Sequence, residues 1–358
     1  MSLINESSIS SIYLMLGGAC NFKCRHCIQE DSGIKCFNPK QNINSNVVKY
    51  IWHLINIRPD CYNKIKLLFW GGEPLIYFSV IKDIVQEFQG NLEYVIITNG
   101  ELLTQEMVDF INANEIYLTL SNDGKMTSNI RTKNMLEDSS FLELFSQVEH
   151  KGVDAVIHAY NSDYQGLYSY INSKVKDVHL FTEQLVVSWD MPKDIYDYDL
   201  EHYKDSLYKL ADKAYQDIIT GEETFAVRTF LGTLKLIAYG RKSKRLLPNC
   251  MSIYKSMNID LEGNVYACHN TNIKIGNVTD DRLQLIQAFD EWVVKTWNRK
   301  CLECVYFDLC RGGCPLDKVN KSGEKLSCKR LQIFYECCIR LADRLNHYFE
   351  DVDLEVDK

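Results

Sequence analysis

Three cysteines in a C-x3-C-x2-C run, Cys20, Cys24 and Cys27, constrain this chain more than any other feature. They follow an apolar stretch, Ile12 to Leu16, inside Gly17-Gly18-Ala19-Cys20-Asn21-Phe22-Lys23-Cys24-Arg25-His26-Cys27. Thiolates this close together are soft ligands that suit an iron–sulfur cluster. Three ligands on a four-iron cube leave one iron without a protein ligand, free to bind a substrate or cofactor. A tetrahedral zinc site wants a fourth Cys or His nearby. His26, wedged between two of the cysteines, would reach that position only with strain.

The remaining cysteines divide the chain. There are fourteen in all: five up to Cys61, none until Cys250, and nine from Cys250 to Cys338. The N-terminus lacks the basic and apolar regions of an export signal. So many thiols without such a signal read as metal or catalytic ligands rather than disulfides, in a cytoplasmic protein. No apolar run is long enough for a transmembrane helix, so no membrane association is expected. A net charge of −8 argues against a general nucleic-acid binder. The one basic run, Arg241-Lys242-Ser243-Lys244-Arg245, reads as a solvated linker.

At 358 residues the chain can hold two domains. Its first 190 residues alternate short apolar runs with helical patterns, as βα units around a parallel sheet do. Strands are expected at Ile12–Leu16, Ile65–Trp70, Tyr94–Thr98, Ile116–Ser121, Val153–Ala159 and Leu185–Trp189. Helices are expected at Val47–Ile57, Tyr77–Phe88 and Thr104–Asn112. Six such units predict an α/β fold, a partial TIM-like (βα)6 barrel rather than a closed one. Parallel barrels place their sites at the C-terminal ends of the strands, and the cysteine run lies just past the first strand. From Leu200 to Gly240 the pattern is helical, broken at Gly221 and Gly232, and reads as two bridging helices. The expected division is 1–198 for the barrel, 199–245 for the bridge and 246–358 for a cysteine-rich domain. That domain has turn signals at Leu261-Glu262-Gly263-Asn264 and Arg311-Gly312-Gly313 and a last helix from Lys329 to Phe349.

After the second strand comes Trp70-Gly71-Gly72-Glu73-Pro74. Glycines at a strand end allow close backbone approach. With the cysteine run before it, this segment resembles the motif of radical S-adenosylmethionine (SAM) enzymes that receives the SAM amino group. Gly71, Gly72, Glu73 and Pro74 would then bind the cofactor. Thr98-Asn99-Gly100 and Ser121-Asn122-Asp123-Gly124 fill out the pattern. The family places ribose and carboxylate contacts near such strand ends, which implicates Thr98, Asn99, Ser121 and Arg131. Relatives often carry His-Asp where this chain has Ser128-Asn129. The resemblance implies that a reduced cluster cleaves bound SAM to methionine and a 5′-deoxyadenosyl radical, which takes a substrate hydrogen. An electron donor such as flavodoxin or ferredoxin is implied as partner.

The C-terminal cysteines follow C-x12-G-x4-C, a gap, C-x2-C-x5-C-x3-C, a gap and C, from Cys250 through Gly263, Cys268, Cys301, Cys304, Cys310 and Cys314 to Cys328. Seven thiols exceed the four of a zinc ribbon. The pattern resembles the SPASM domain of radical SAM enzymes that mature peptides and proteins, which carries two auxiliary four-iron clusters. By that resemblance Cys301, Cys304, Cys310 and Cys328 hold one cluster, and Cys250, Cys268 and Cys314 hold the other. With the SAM-binding cluster this makes three. Seven ligands for eight places leave the near auxiliary cluster an open iron or a ligand from elsewhere. Cys337 and Cys338 are candidate donors but read as buried residues of the last helix, and Cys36 and Cys61 as ordinary thiols.

In sulfatase-maturing relatives an Asp proposed as a base follows the second SPASM cysteine. Here that residue is His269, which resembles the Cys-His of many peptide maturases and could accept a proton. A hydrogen bond shaping the cluster loop is the other reading of His269. The expected function is installation of a cross-link or other oxidative C–H modification in a ribosomally made precursor peptide. A sulfatase-type maturase and a small-molecule dehydrogenase are the alternatives. Cys20 comes too early for a leader-binding module before it. Either a separate protein supplies leader recognition, or the barrel and SPASM surfaces bind the peptide directly.

Overall fold

The computed structural model describes residues 6–31, 42–59, 62–176, 178–188, 190–239, 253–295, 299–321 and 323–356. Cys36, Cys61, Trp189, Arg241 to Arg245 and Cys250 lie outside the described residues.

Six strands alternate with helices as the sequence pattern requires. They are β1 (Ser11–Met15), β2 (Ile65–Trp70), β3 (Leu92–Thr98), β4 (Tyr117–Ser121), β5 (Lys151–Ile157) and β6 (His179–Gln184). All pair in parallel in sequential order. The intervening helices are α1 (Ser45–Asn56), α2 (Phe78–Glu87), α3 (Gln105–Ala113), α4 (Ser139–Ser146) and α5 (Tyr164–Lys174). The first three lie within two residues of their expected bounds. The alternation in β2 sorts Ile65, Leu67 and Phe69 into the helical layer, where all three are buried. Lys66, Leu68 and Trp70 stand on the opposite, inner face. The sheet is not closed, since β6 is one of its edges; this is the expected partial barrel.

The sixth strand differs from expectation. It is His179–Gln184, not Leu185–Trp189. Leu185 and Val187 are buried because the C-terminal part docks on them, not because they lie in the sheet. The Val187 N–H donates to Asp317 Oδ1 at 3.0 Å, and the Lys318 N–H donates to the Val187 carbonyl at 2.8 Å. Buried Arg330 donates to the Leu185 carbonyl at 2.9 Å.

The bridge forms two helices, α6 (Leu200–Thr220) and α7 (Phe225–Tyr239). Gly221 ends α6 with φ 76°, a left-handed cap that favours glycine. Both pack on the last helix. The cysteine-rich part contributes β7 (Ser256–Asp260), β8 (Asn264–Tyr266) and β9 (Lys274–Asn277), then α8 (Arg282–Lys295) and the last helix α9 (Cys328–Val356). β7 pairs in parallel with β1, and β8 and β9 follow antiparallel, so one nine-stranded sheet runs β6-β5-β4-β3-β2-β1-β7-β8-β9. The expected turn at 261–264 is held by Asp260, whose Oδ1 accepts the Glu262 and Asn264 N–H groups at 2.9 Å each. Among the described residues no helix is long and apolar enough to cross a membrane.

Candidate functional site

The β1–β2 ladder continues past both strand ends and zips two loops together. The Gly72 N–H donates to the Gly17 carbonyl at 3.0 Å, and the Glu73 N–H donates to the Ala19 carbonyl at 2.8 Å. A Cβ on Gly71 would lie 2.4 Å from the Gly17 carbonyl oxygen, and one on Gly72 would lie 2.2 Å from that of Ala19. The two glycines are therefore required by the approach of the cysteine loop. Glu73 is buried, and its carboxylate ties β2 to the end of β3. Oε1 accepts from Thr98 Oγ1 at 2.6 Å and from the Leu75 N–H at 3.0 Å, and Oε2 accepts from the Asn99 N–H at 2.8 Å. Burial raises its pKa, against the pull of these three bonds. Asn99 Nδ2 in turn donates to Asn21 Oδ1 at 2.8 Å.

The far side of the cysteine loop is pinned to the segment after β4. The Lys23 N–H donates to Thr132 Oγ1 at 2.7 Å and the Arg25 N–H to the Ile130 carbonyl at 2.7 Å. Held this way, Cys20, Cys24 and Cys27 line one cleft together with Gly71, Gly72, Glu73, Thr98, Asn99, Ser121 and Arg131. Of the residues expected around the cofactor, Pro74 alone is off the lining; it is buried and opens the turn Pro74–Tyr77. Arg131 grips buried Asp123 through Nε at 2.6 Å and Nη2 at 3.1 Å. Burial alone would raise the Asp123 pKa, but the Arg131 charge and then His26 outweigh it and bring it down to about 2. Burial lowers His26 to about 3 and His158 to about 4, so both are neutral beside Asp123.

Cys301, Cys304, Cys310 and Cys328 line a second cavity of about 80 Å³ with Gly312 and Gly313. The reversal at 311–313 needs three positive φ angles, 53°, 83° and 65°. Among the described residues no three Cys, His or carboxylate side chains gather around a single-ion position. Four thiols around one cavity suit a polynuclear cluster. Cys314 is not in this lining. Cys268 follows β8, and the Asn270 N–H donates to its Sγ at 3.4 Å. Cys337 and Cys338 are buried against other helices, with Cys337 Sγ donating to the Leu207 carbonyl at 3.6 Å. Cys337 lies nine residues along α9 from Cys328, about 14 Å of helix.

His269 is a wedge at the mouth of the barrel. Its ring stacks on Tyr13 at 4.8 Å and meets Trp70 edge-on at 4.5 Å. Nδ1 faces Cys268 Sγ at 4.0 Å, and Nε2 accepts from Asn270 Nδ2 at 3.0 Å. Burial lowers its pKa to about 3. Asn270 also takes a bond from Gln29 at 3.4 Å and lines the cysteine cleft. The C-terminal part thus closes one wall of the cleft.

Residues 11–143 match a family described as a 4Fe-4S single cluster domain, and residues 250–314 match SPASM, an iron–sulfur cluster-binding domain. This chain is a radical SAM enzyme with a SPASM domain. It is 23% identical over 363 residues to the cysteine-type anaerobic sulfatase-maturating enzyme of Clostridium perfringens (strain 13 / Type A), over 88% of this chain and 92% of that one. It is 21% identical over 328 residues to the radical SAM cyclopropyl synthase TigE of Paramaledivibacter caminithermalis, over 86% of this chain and 68% of that one. Its fold matches a solved structure of native anSMEcpe with bound AdoMet and Cp18Cys peptide at a TM-score of 0.70 and 20% identity, covering 94% and 99% of the two chains.

Sequence reasoning missed several residues of this radical SAM core. Tyr13 and Trp70, which hold the SPASM turn, look in sequence like ordinary strand residues. Asp154 and Glu183 also line the cleft. The signal for Asp154 was present: it is a lone charge among the apolar residues Val153, Ala155, Val156 and Ile157.

Proposed function

We propose that this radical SAM enzyme modifies an unactivated C–H of a ribosomally made peptide. The observation that carries the reading is the shared cleft, with the cysteine loop on one wall and Asn270 of the SPASM turn on the other. In this reading Cys20, Cys24 and Cys27 hold a [4Fe-4S] cluster. Gly71, Gly72, Glu73, Pro74, Thr98, Asn99, Ser121 and Arg131 form the SAM pocket, with Glu73 and Pro74 bracing it from behind. Cys301, Cys304, Cys310 and Cys328 hold a second cluster, and Cys250, Cys268 and Cys314 a third. When bound, SAM and its cluster supply a 5′-deoxyadenosyl radical. The chain orients SAM on the β2, β3 and β4 strand ends and excludes water with the SPASM turn. Arg131 is held at the cleft by Asp123, so its guanidinium is fixed in place before any ligand arrives. His269 positions Trp70 and Asn270 by its wedge. Its acceptor nitrogen is taken by Asn270, so proton acceptance is the competing role for this residue.

Formylglycine formation is a second reading, favoured by the similarity to the cysteine-type anaerobic sulfatase-maturating enzyme of Clostridium perfringens. The test is anaerobic reconstitution with SAM and dithionite. One arm contains a Cys-containing sulfatase peptide, the other any short precursor peptide found encoded beside this gene. Modification of the precursor with 5′-deoxyadenosine release supports the leading reading, and formylglycine in the sulfatase peptide supports the second. No 5′-deoxyadenosine in either arm defeats both.

A further inference from the structure

The inner face of the sheet carries two carboxylates that the proposed chemistry leaves unused. Asp154 stands on β5 and Glu183 on β6. In the ladder Asp154 pairs with Phe181 and Val156 with Glu183. The two carboxylates therefore project from the same face of neighbouring strands, two residues out of register, where long side chains can meet. Both line the cysteine cleft, and both also line a wider trough of about 710 Å³ along the inner face. Among the described residues, only Ile97, Asp154 and Glu183 belong to both linings. The pair thus stands where the trough opens into the cleft.

Asp154 Oδ1 is shut off from solvent and has no hydrogen-bond partner. Burial first, and the Glu183 charge second, push its carboxyl well above the usual carboxylate range. A buried acceptor without a partner is costly, and a buried charge without a counter-ion more so. Among the described residues Arg131 is the cation whose charge both carboxyls feel, and it offsets their burial only in part. Arg131, whose charge Asp154 feels, has two donors committed to Asp123. Lys66, on the trough lining, faces Glu93 at 4.0 Å. The carboxylates are thus arranged for a cation that arrives from outside.

We propose that Asp154 and Glu183 together receive a basic side chain of the peptide substrate, a lysine ammonium or an arginine guanidinium, and so set which residue is presented to the cleft. The inference rests on the peptide-modifying reading above. SAM itself carries a sulfonium and an ammonium and is the other source of such a cation. The placement favours the peptide. Both carboxylates line the trough as well as the cleft, and the trough holds none of the cysteines and none of the residues assigned to SAM. The trough also gives an extended chain a way in that does not pass the cysteine loop.

The experiment titrates reconstituted holoenzyme, saturated with SAM, with acetyl-Gly-Ala-Lys-Ala-Gly-amide and with its norleucine counterpart, using calorimetry. The lysine peptide is expected to bind roughly tenfold tighter or better. Glu183→Gln, and Asp154→Asn combined with Glu183→Gln, should bring the two peptides to within about twofold while SAM affinity holds. Glu183 is the open member of the pair, so Glu183→Gln alone decides if the double variant fails to fold. Equal binding of the two peptides by wild type overturns the inference. So does a lysine preference that survives Glu183→Gln. Loss of SAM affinity with the preference intact would also overturn it and assign the pair to SAM. The proposed function is read from 5′-deoxyadenosine release and this inference from peptide binding, so their failures are distinguishable.

Discussion

Gly72 illustrates how little latitude a single position has at this site. The hydrogen of Gly72 occupies the only space the Ala19 carbonyl leaves. Gly72→Ala forces the cysteine loop away from β2 and is expected to cost about 1–3 kcal/mol, as overpacking does. It should also lower iron retention at Cys20, Cys24 and Cys27. Denaturant midpoints and iron assays measure both, and an unchanged midpoint would show that the loops can part freely. His269 makes a sharper test. As a wedge between Tyr13 and Trp70, its replacement in His269→Ala should reduce SAM cleavage and product together. A proton-accepting His269 would instead leave SAM cleavage intact while product falls, and His269→Asp would restore part of it. The ratio of 5′-deoxyadenosine to modified product separates the two. At this scale the sequence is most legible where chemistry dictates residue type, as with the clustered thiols and Gly71-Gly72. It is least legible for Asp154, whose meaning depends on Glu183 and on the absence of a partner, neither of which spacing reveals.

Among elements, the early strands read well because their alternation is set by burial on one face only. β6 did not. Its own residues, His179 to Gln184, are largely polar because the sheet edge and the trough leave them open. The apolar run that looked like a strand, beginning at Leu185, is apolar for a different reason: it is the landing site of Asp317, Lys318 and Arg330. Periodicity cannot distinguish a strand buried in a sheet from a segment buried under another domain. α9 shows the opposite case. Cys337 and Cys338 share a helix with Cys328 but face α6 and α7, not the four-cysteine cavity. Cys337→Ala and Cys338→Ala are expected to leave iron content unchanged and to cost about 1 kcal/mol each in stability. Iron loss in either variant would place it among the ligands after all.

For the whole molecule, three four-iron clusters imply about twelve irons per chain. Replacing Cys20, Cys24 and Cys27 by Ala should remove about four irons and all SAM cleavage. Replacing Cys301, Cys304, Cys310 and Cys328 should remove about four others. A wild-type total near four, or stoichiometric zinc, would contradict the assignment. The two groups of cysteines mark two parts of the sequence, but their joining in one sheet was not legible, because nothing in Ser256–Asp260 says which strand it will pair with.

That pairing has a consequence in time. Ser11 and Ser256 touch through their hydroxyls at 2.8 Å, yet 245 residues separate them in the chain. On the ribosome, β1 emerges some 245 residues before the strand that completes its hydrogen bonding. Contacts of such long range form late. Until then β1 presents a row of bare N–H and C=O groups, with the cysteine loop hanging from its end. The nascent enzyme therefore passes through an interval in which its cysteine loop is present but its sheet is one-sided.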